Sequence, residues 1–136
     1  MLRPILLLII TTMSIAVYPQ KYVVLEVKNN FIDVENGKPF KFLIEVRPSS
    51  GIHVNAQPPI SVKPCDSAAK VSVKEPPKSG EYLDLSNPIE VECNVTGLDA
   101  GSHELGFVVG YTFCSNKEGW CRMSKDTVSV VVRVKK

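Results

Sequence analysis

The sequence has 136 residues, 44% of them hydrophobic and 22% charged, with 16 Lys and Arg against 14 Asp and Glu. That composition belongs to one folded domain and excludes a disordered chain. A net charge of +2 gives no support to nucleic-acid binding, which needs a concentrated basic face.

Arg3 precedes the apolar run Ile5 to Ile10, and no charge follows before Gln20. A positive start, a short apolar centre and then small residues form the layout of a secretory signal over residues 1–20. Cleavage is expected after Ala16 in Ser14-Ile15-Ala16, or near Gln20. The 17 uncharged residues from Pro4 to Gln20 fall short of the roughly 20 that span a bilayer comfortably. Cleavage is therefore preferred to an N-terminal membrane anchor. Residues 21–136 are read as one periplasmic or secreted domain outside the reducing cytosol.

That domain reads as strands almost throughout. Tyr22–Val27 is rich in β-branched residues, and Phe40–Val46 alternates around Lys41 and Glu45. Val71 and Val73 flank Ser72. In Ile89–Val95 the residues Ile89, Val91, Cys93 and Val95 point one way, and Glu90, Glu92 and Asn94 the other. His103–Phe113 is a long apolar strand, and Thr127–Val134 places four valines on one face. Period-two alternation over such lengths marks half-buried strands. Arg133, Lys135 and Lys136 form the solvated end of the last one.

Turn-forming clusters fall between them: Asn36-Gly37, Pro48 to Gly51, Pro58-Pro59, Pro76-Pro77, Ser79-Gly80, Asn87-Pro88 and Gly97 to Gly101. No stretch has the pattern of a three-turn amphipathic helix. About seven short strands at these spacings predict an all-β fold, an immunoglobulin-like antiparallel β-sandwich. The single tryptophan, Trp120, lies between Cys114 and Cys121 rather than between core cysteines.

Four cysteines, Cys65, Cys93, Cys114 and Cys121, allow three pairings. Cys114 and Cys121 bracket Ser115-Asn116-Lys117-Glu118-Gly119-Trp120, a polar stretch with a glycine between two strong strands. A hairpin there brings its ends to disulfide distance. By chain entropy such a bond stabilises by about 2.5 kcal/mol, against about 3.6 kcal/mol for a Cys65–Cys93 bond around a longer loop. The short ring is the poorer staple, but a hairpin tip is open to an attacking thiolate. An inert hairpin disulfide remains the alternative. Cys93 reads equally as a small core hydrophobe or as a structural partner of Cys65. Lys117 and Arg122 favour a thiolate nearby, while Glu118 and Asp126 oppose it. The gap between Cys114 and Cys121 exceeds usual zinc-ligand spacing, so no metal site is assigned from them with His53 and His103. No hydrolytic or phosphate-binding motif stands out.

The segment Tyr111-Thr112-Phe113-Cys114-Ser115-Asn116-Lys117-Glu118-Gly119-Trp120-Cys121 resembles the redox hairpin in the periplasmic N-terminal domain of the thiol:disulfide interchange protein DsbD. Tyr111, Cys114, Gly119, Trp120 and Cys121 fill the places of that pattern, and Gly51 to Pro59 looks like the stretch after the family's early long strand. The resemblance covers roughly residues 22–134. It implies an immunoglobulin-like domain that passes electrons through Cys114 and Cys121, without a cofactor. Its implied partners are thioredoxin-like extracytoplasmic proteins and a membrane reductase, here as a separate chain. Tyr111, Phe113 and Trp120 are candidates for shielding the sulfurs or docking a partner, and Tyr82 stands where the family has its aromatic cap. The competing reading is a non-catalytic protein-binding sandwich with a structural hairpin disulfide.

Overall fold

The structure, a computed structural model, describes residues 21–135; the expected signal segment lies outside them. In chain order the strands are β1 (Val23–Val27), β2 (Phe31–Glu35), β3 (Phe40–Pro48), β4 (Ile52–Val54), β5 (Ser61–Pro64), β6 (Ala69–Lys74), β7 (Lys78–Ser79), β8 (Tyr82–Leu83), β9 (Ile89–Val95), β10 (Gly101–Ser115) and β11 (Trp120–Lys135). Among the described residues no helix is long and apolar enough to cross a membrane.

One sheet has the order β1-β3-β9-β6. The other large sheet runs β2-β11-β10-β4, and β5 also pairs with β10; β7 and β8 make a separate two-stranded ribbon. The two large sheets pack face to face, so the expected all-β sandwich is the observed fold. The cause is visible strand by strand. In β9 the residues Ile89, Val91, Cys93 and Val95 are buried and Glu92 is exposed. In β11 Val128, Val130, Val132 and Val134 are buried in turn. Phe42 from the first sheet meets Phe107 from the second, ring centroids 4.9 Å apart, and both are fully buried. Each such side chain contributes about 2–3 kcal/mol by leaving water.

The eleven strands exceed the about seven expected, the short β4, β7 and β8 being too brief to show alternation, and two further features go beyond the sequence reading. The first is β2, whose residues pair in parallel with Val131–Lys135 of β11; among the described residues every other ladder is antiparallel. The second is the length of the β10–β11 hairpin, paired without interruption from Gly101↔Val134 to Ser115↔Trp120. This hairpin carries the cysteine pair at its tip.

The strands also decide the fate of the other two cysteines. Cys93 lies on the inner face of β9 with no exposed surface, and burial pushes its thiol up to about 11. Cys65 follows β5 on the opposite sheet and is exposed. Both are free thiols. The Cys65–Cys93 disulfide allowed by the sequence is therefore corrected: Cys93 serves as a small core hydrophobe, because its strand register aims it inward.

Candidate functional site

Cys114 and Cys121 face each other across β10 and β11 and are joined by a disulfide with a Cα–Cα distance of 4.1 Å. The local sequence makes the turn that brings them together. The Gly119 N–H donates to the Ser115 carbonyl at 2.8 Å, and the Glu118 N–H donates to Ser115 Oγ at 3.2 Å. Gly119 closes the turn at φ +72°, a left-handed conformation that glycine adopts without steric cost. Ser115 and Gly119 thus do for the turn what the alternating residues do for the strands.

The two sulfurs have different surroundings. Cys114 is only 5% exposed, whereas Cys121 is exposed. On its other side Cys114 pairs with His53 of β4. His53, Cys114 and Cys121 therefore form a row across three strands, with side chains on one face about 5 Å apart at Cβ. Asn55 Oδ1 lies 3.3 Å from Cys114 Sγ. The Tyr82 ring stacks on the His53 ring, centroids 4.6 Å apart and 21° from parallel. The Tyr82 hydroxyl donates to Asn116 Oδ1 in the hairpin turn. Tyr82 thereby ties β8 to the hairpin and walls a cleft of about 270 Å³ whose lining includes Asn55, Glu81, Cys114 and Cys121.

The other aromatic candidates lie elsewhere. Alternation sends Tyr111, Phe113 and Trp120 to the opposite side of the sheet from the cysteines. Tyr111 and Phe113 are buried in the core. Phe113, Trp120 and Tyr22 make a cluster with centroids 5.1 to 5.8 Å apart. Arg122 caps that cluster, its guanidinium carbon 4.5 Å from the Trp120 ring centroid. The Tyr111 hydroxyl donates to Asp126 Oδ2 at 2.6 Å; burial, then this carboxylate, pushes Tyr111 up to about 12. The Trp120 indole N–H donates to Glu118 at 2.6 Å. Of the four charges weighed as thiolate modifiers, Arg122, Asp126 and Glu118 are thus each engaged with an aromatic ring or its polar edge. Among the shielding candidates, Tyr82 is the one placed against the sulfur-bearing face, with Trp120 contributing to the cleft rim.

Asn55 in the cleft lining and His53 beside Cys114 are residues the sequence did not single out as members of this site. Asn55 and His53 belong to the Gly51–Pro59 segment, and only the β4–β10 pairing shows that they flank Cys114. Among the described residues no group of three or more His, Cys, Asp or Glu side chains is placed to hold a metal ion. Chemically, the arrangement offers one exposed sulfur, one sheltered sulfur, and a polar oxygen beside the sheltered one.

No protein-family model matches this chain, and no curated protein matches it significantly. Two solved structures are similar over 83% of its length. Domains 4 and 5 of the S-layer protein SbsC align at 16% identity with a TM-score of 0.44. This chain covers 45% of that one. AggA, the major subunit of aggregative adherence fimbriae type I from Escherichia coli, aligns at 14% identity with a TM-score of 0.39, over 94% of its own length. At these scores neither likeness bears on function.

Proposed function

We propose that the domain is a thiol–disulfide exchange module of an extracytoplasmic compartment, with Cys114 and Cys121 as its exchanging pair. The observation that carries this reading is the unequal exposure of the two bonded cysteines at a hairpin tip. A partner thiolate reaches Cys121 Sγ. A new sulfur–sulfur bond forms there, the Cys114–Cys121 bond breaks, and its electron pair goes to Cys114 as the leaving sulfur. Once protonated, the Cys114 thiol has an acceptor in Asn55 Oδ1. The partner's second thiolate then attacks its own sulfur in the mixed disulfide and releases Cys121. Two electrons have passed, the partner is oxidised, and the pair is a dithiol. The reverse sequence returns the electrons to a thioredoxin-like protein's disulfide, and Cys121 is again the nucleophile.

Two further points support this reading. The hairpin's resemblance to that of DsbD, carried over residue by residue, would make Cys114 and Cys121 the redox pair. The β10–β11 hairpin is held by fifteen consecutive residue pairs, so a dithiol form keeps its two sulfurs side by side, ready to close again.

The test is to trap the intermediate. A Cys114→Ala chain keeps the exposed sulfur and lacks the resolving one. Mixed with an extracytoplasmic thioredoxin-like protein in its disulfide form, it is expected to accumulate an adduct bonded through Cys121. The absence of any such adduct at equimolar protein would leave a protein-binding sandwich with a structural disulfide.

A further inference from the structure

Beside the disulfide, on the same outer face of the β10–β11 hairpin, the sheet carries a second concavity of about 420 Å³. It exists because the chain between β4 and β5 leaves the sheet at Asn55 and rejoins it at Ser61, where Ser61 pairs with Gly110. The segment between them, including Pro58 and Pro59, becomes a wall. Gly110 and Thr112 make the floor, and Met123 and Lys125 the facing side. The lining is mostly apolar.

Two features of this groove are unusual for an ordinary surface, and among the described residues its charged lining residue, Lys125, is free to pair. Met123 is 78% exposed, a large apolar side chain left in water. Thr112 is 8% exposed, and its Oγ1 has no hydrogen-bond partner among the described residues. A buried hydroxyl without a partner is costly, and this one lies in the floor of the groove. Lys125 enters no ion pair among the described residues.

The groove neighbours the disulfide along the same ladder. Thr112↔Met123 is the pair two residues down the ladder from Cys114↔Cys121, and Gly110↔Lys125 lies two further. Two residues of extended chain span about 6.8 Å, and alternate residues share a face. An extended polypeptide with a cysteine at Cys121 therefore sets its second residue over Thr112 and Met123, and its fourth beside Lys125. We infer that this groove receives the extended segment flanking the reactive cysteine of the exchange partner, and selects one with an apolar residue two positions away and an acidic residue four positions away. The apolar side chain fills the space between Met123 and Pro59. The carboxylate pairs with Lys125. This inference rests on the exchange reading and adds the sequence character of the partner to it.

The experiment uses the reduced chain carrying Cys65→Ser, so that the exposed free thiol does not compete. The probes are two peptides whose cysteine is bonded to thionitrobenzoate: Glu-Ser-Leu-Ser-Cys-Ser-Leu-Ser-Glu, symmetric so that either chain direction fits, and the same peptide with serine in place of leucine and glutamate. The Cys121 thiolate attacks the peptide sulfur, and thionitrobenzoate leaves with the electron pair as the better leaving group. Its absorbance gives the rate. The leucine and glutamate peptide is expected to react about tenfold faster, the equivalent of a half-buried leucine. In Met123→Asp the ratio is expected to fall to about one. Equal rates for the two peptides, with Cys121 still modified by the free reagent dithiobis-nitrobenzoate, would overturn the groove and leave exchange standing. If mass mapping finds Cys121 unmodified by every probe, both fall. A concentration-dependent dimer broken by Met123→Asp would assign the groove to a second copy and overturn the inference.

Discussion

Tyr82 controls access to Cys114, and the size of that control follows from its contacts. In a chain carrying Cys65→Ser and Cys121→Ser, Cys114 is left as a single thiol at the hairpin. Tyr82 walls the cleft that Cys114 lines, and full access for iodoacetamide is expected to require Tyr82 to swing away. That breaks its hydroxyl bond to Asn116, about 1 kcal/mol, and its stacking on His53, about another 1 kcal/mol. Opening by about 2 kcal/mol corresponds to about thirtyfold protection. Tyr82→Phe removes the hydrogen bond alone and is expected to speed alkylation of Cys114 about fivefold. Tyr82→Ala removes both contacts and is expected to speed it about thirtyfold. The sister chain with Cys114→Ser reports Cys121, which faces solvent, and its rate is expected to be unaffected by either change. Rates taken across pH separate access from thiolate fraction. A Cys114 rate that ignores Tyr82→Ala, or that matches the rate of Cys121 with Tyr82 in place, would refute the reasoning.

Three further outcomes are expected. Thr112→Val removes a buried hydroxyl that has no partner while keeping its shape, and is expected to raise unfolding stability by about 1 kcal/mol in a urea titration; a loss of that size would mean the hydroxyl is satisfied. Phe107→Ala deletes a fully buried ring packed on Phe42 and is expected to cost about 3–5 kcal/mol, read from the shift of the urea midpoint at constant slope. Tyr111 is raised to about 12 in the fold, above its ordinary value near 10. Its contribution is therefore complete below pH 10 and lost as pH rises from about 10 to about 12. The loss is at most about 3 kcal/mol, and Tyr111→Phe is expected to remove that part of the alkaline destabilisation.

The strands that build the sandwich were legible because they alternate. Ile89 to Val95 announces its inner face residue by residue, and so does the valine series of β11. Strand β2 was not, because Asp33 and Glu35 interrupt a five-residue segment flanked by asparagines, and its partner lies about a hundred residues away. Parallel pairing across that distance leaves no local signature. The Cys114–Cys121 pair was legible as a hairpin, since a turn determines which residues meet. The neighbours of the pair were not. His53 and Asn55 reach Cys114 through β4, and nothing in their own segment names β10 as the strand it joins. Alternation also decides that Phe113 and Trp120 turn away from the sulfurs, although both sit next to a cysteine in sequence. Adjacency along a strand means opposite faces. Loop-entropy arithmetic favoured Cys65–Cys93 as a staple, but it contains no information on which sheet each cysteine occupies.

The central claim is that the Cys114–Cys121 bond exchanges with thiols under the conditions of an oxidising compartment. Equilibration of the intact chain with defined ratios of reduced and oxidised dithiothreitol, with each cysteine's state read by mass, gives its reduction potential. The account predicts a value between about −300 and −120 mV, the range of exchange-competent pairs, with Cys114 and Cys121 alone changing state. A value well below about −300 mV, the mark of structural disulfides, would contradict it.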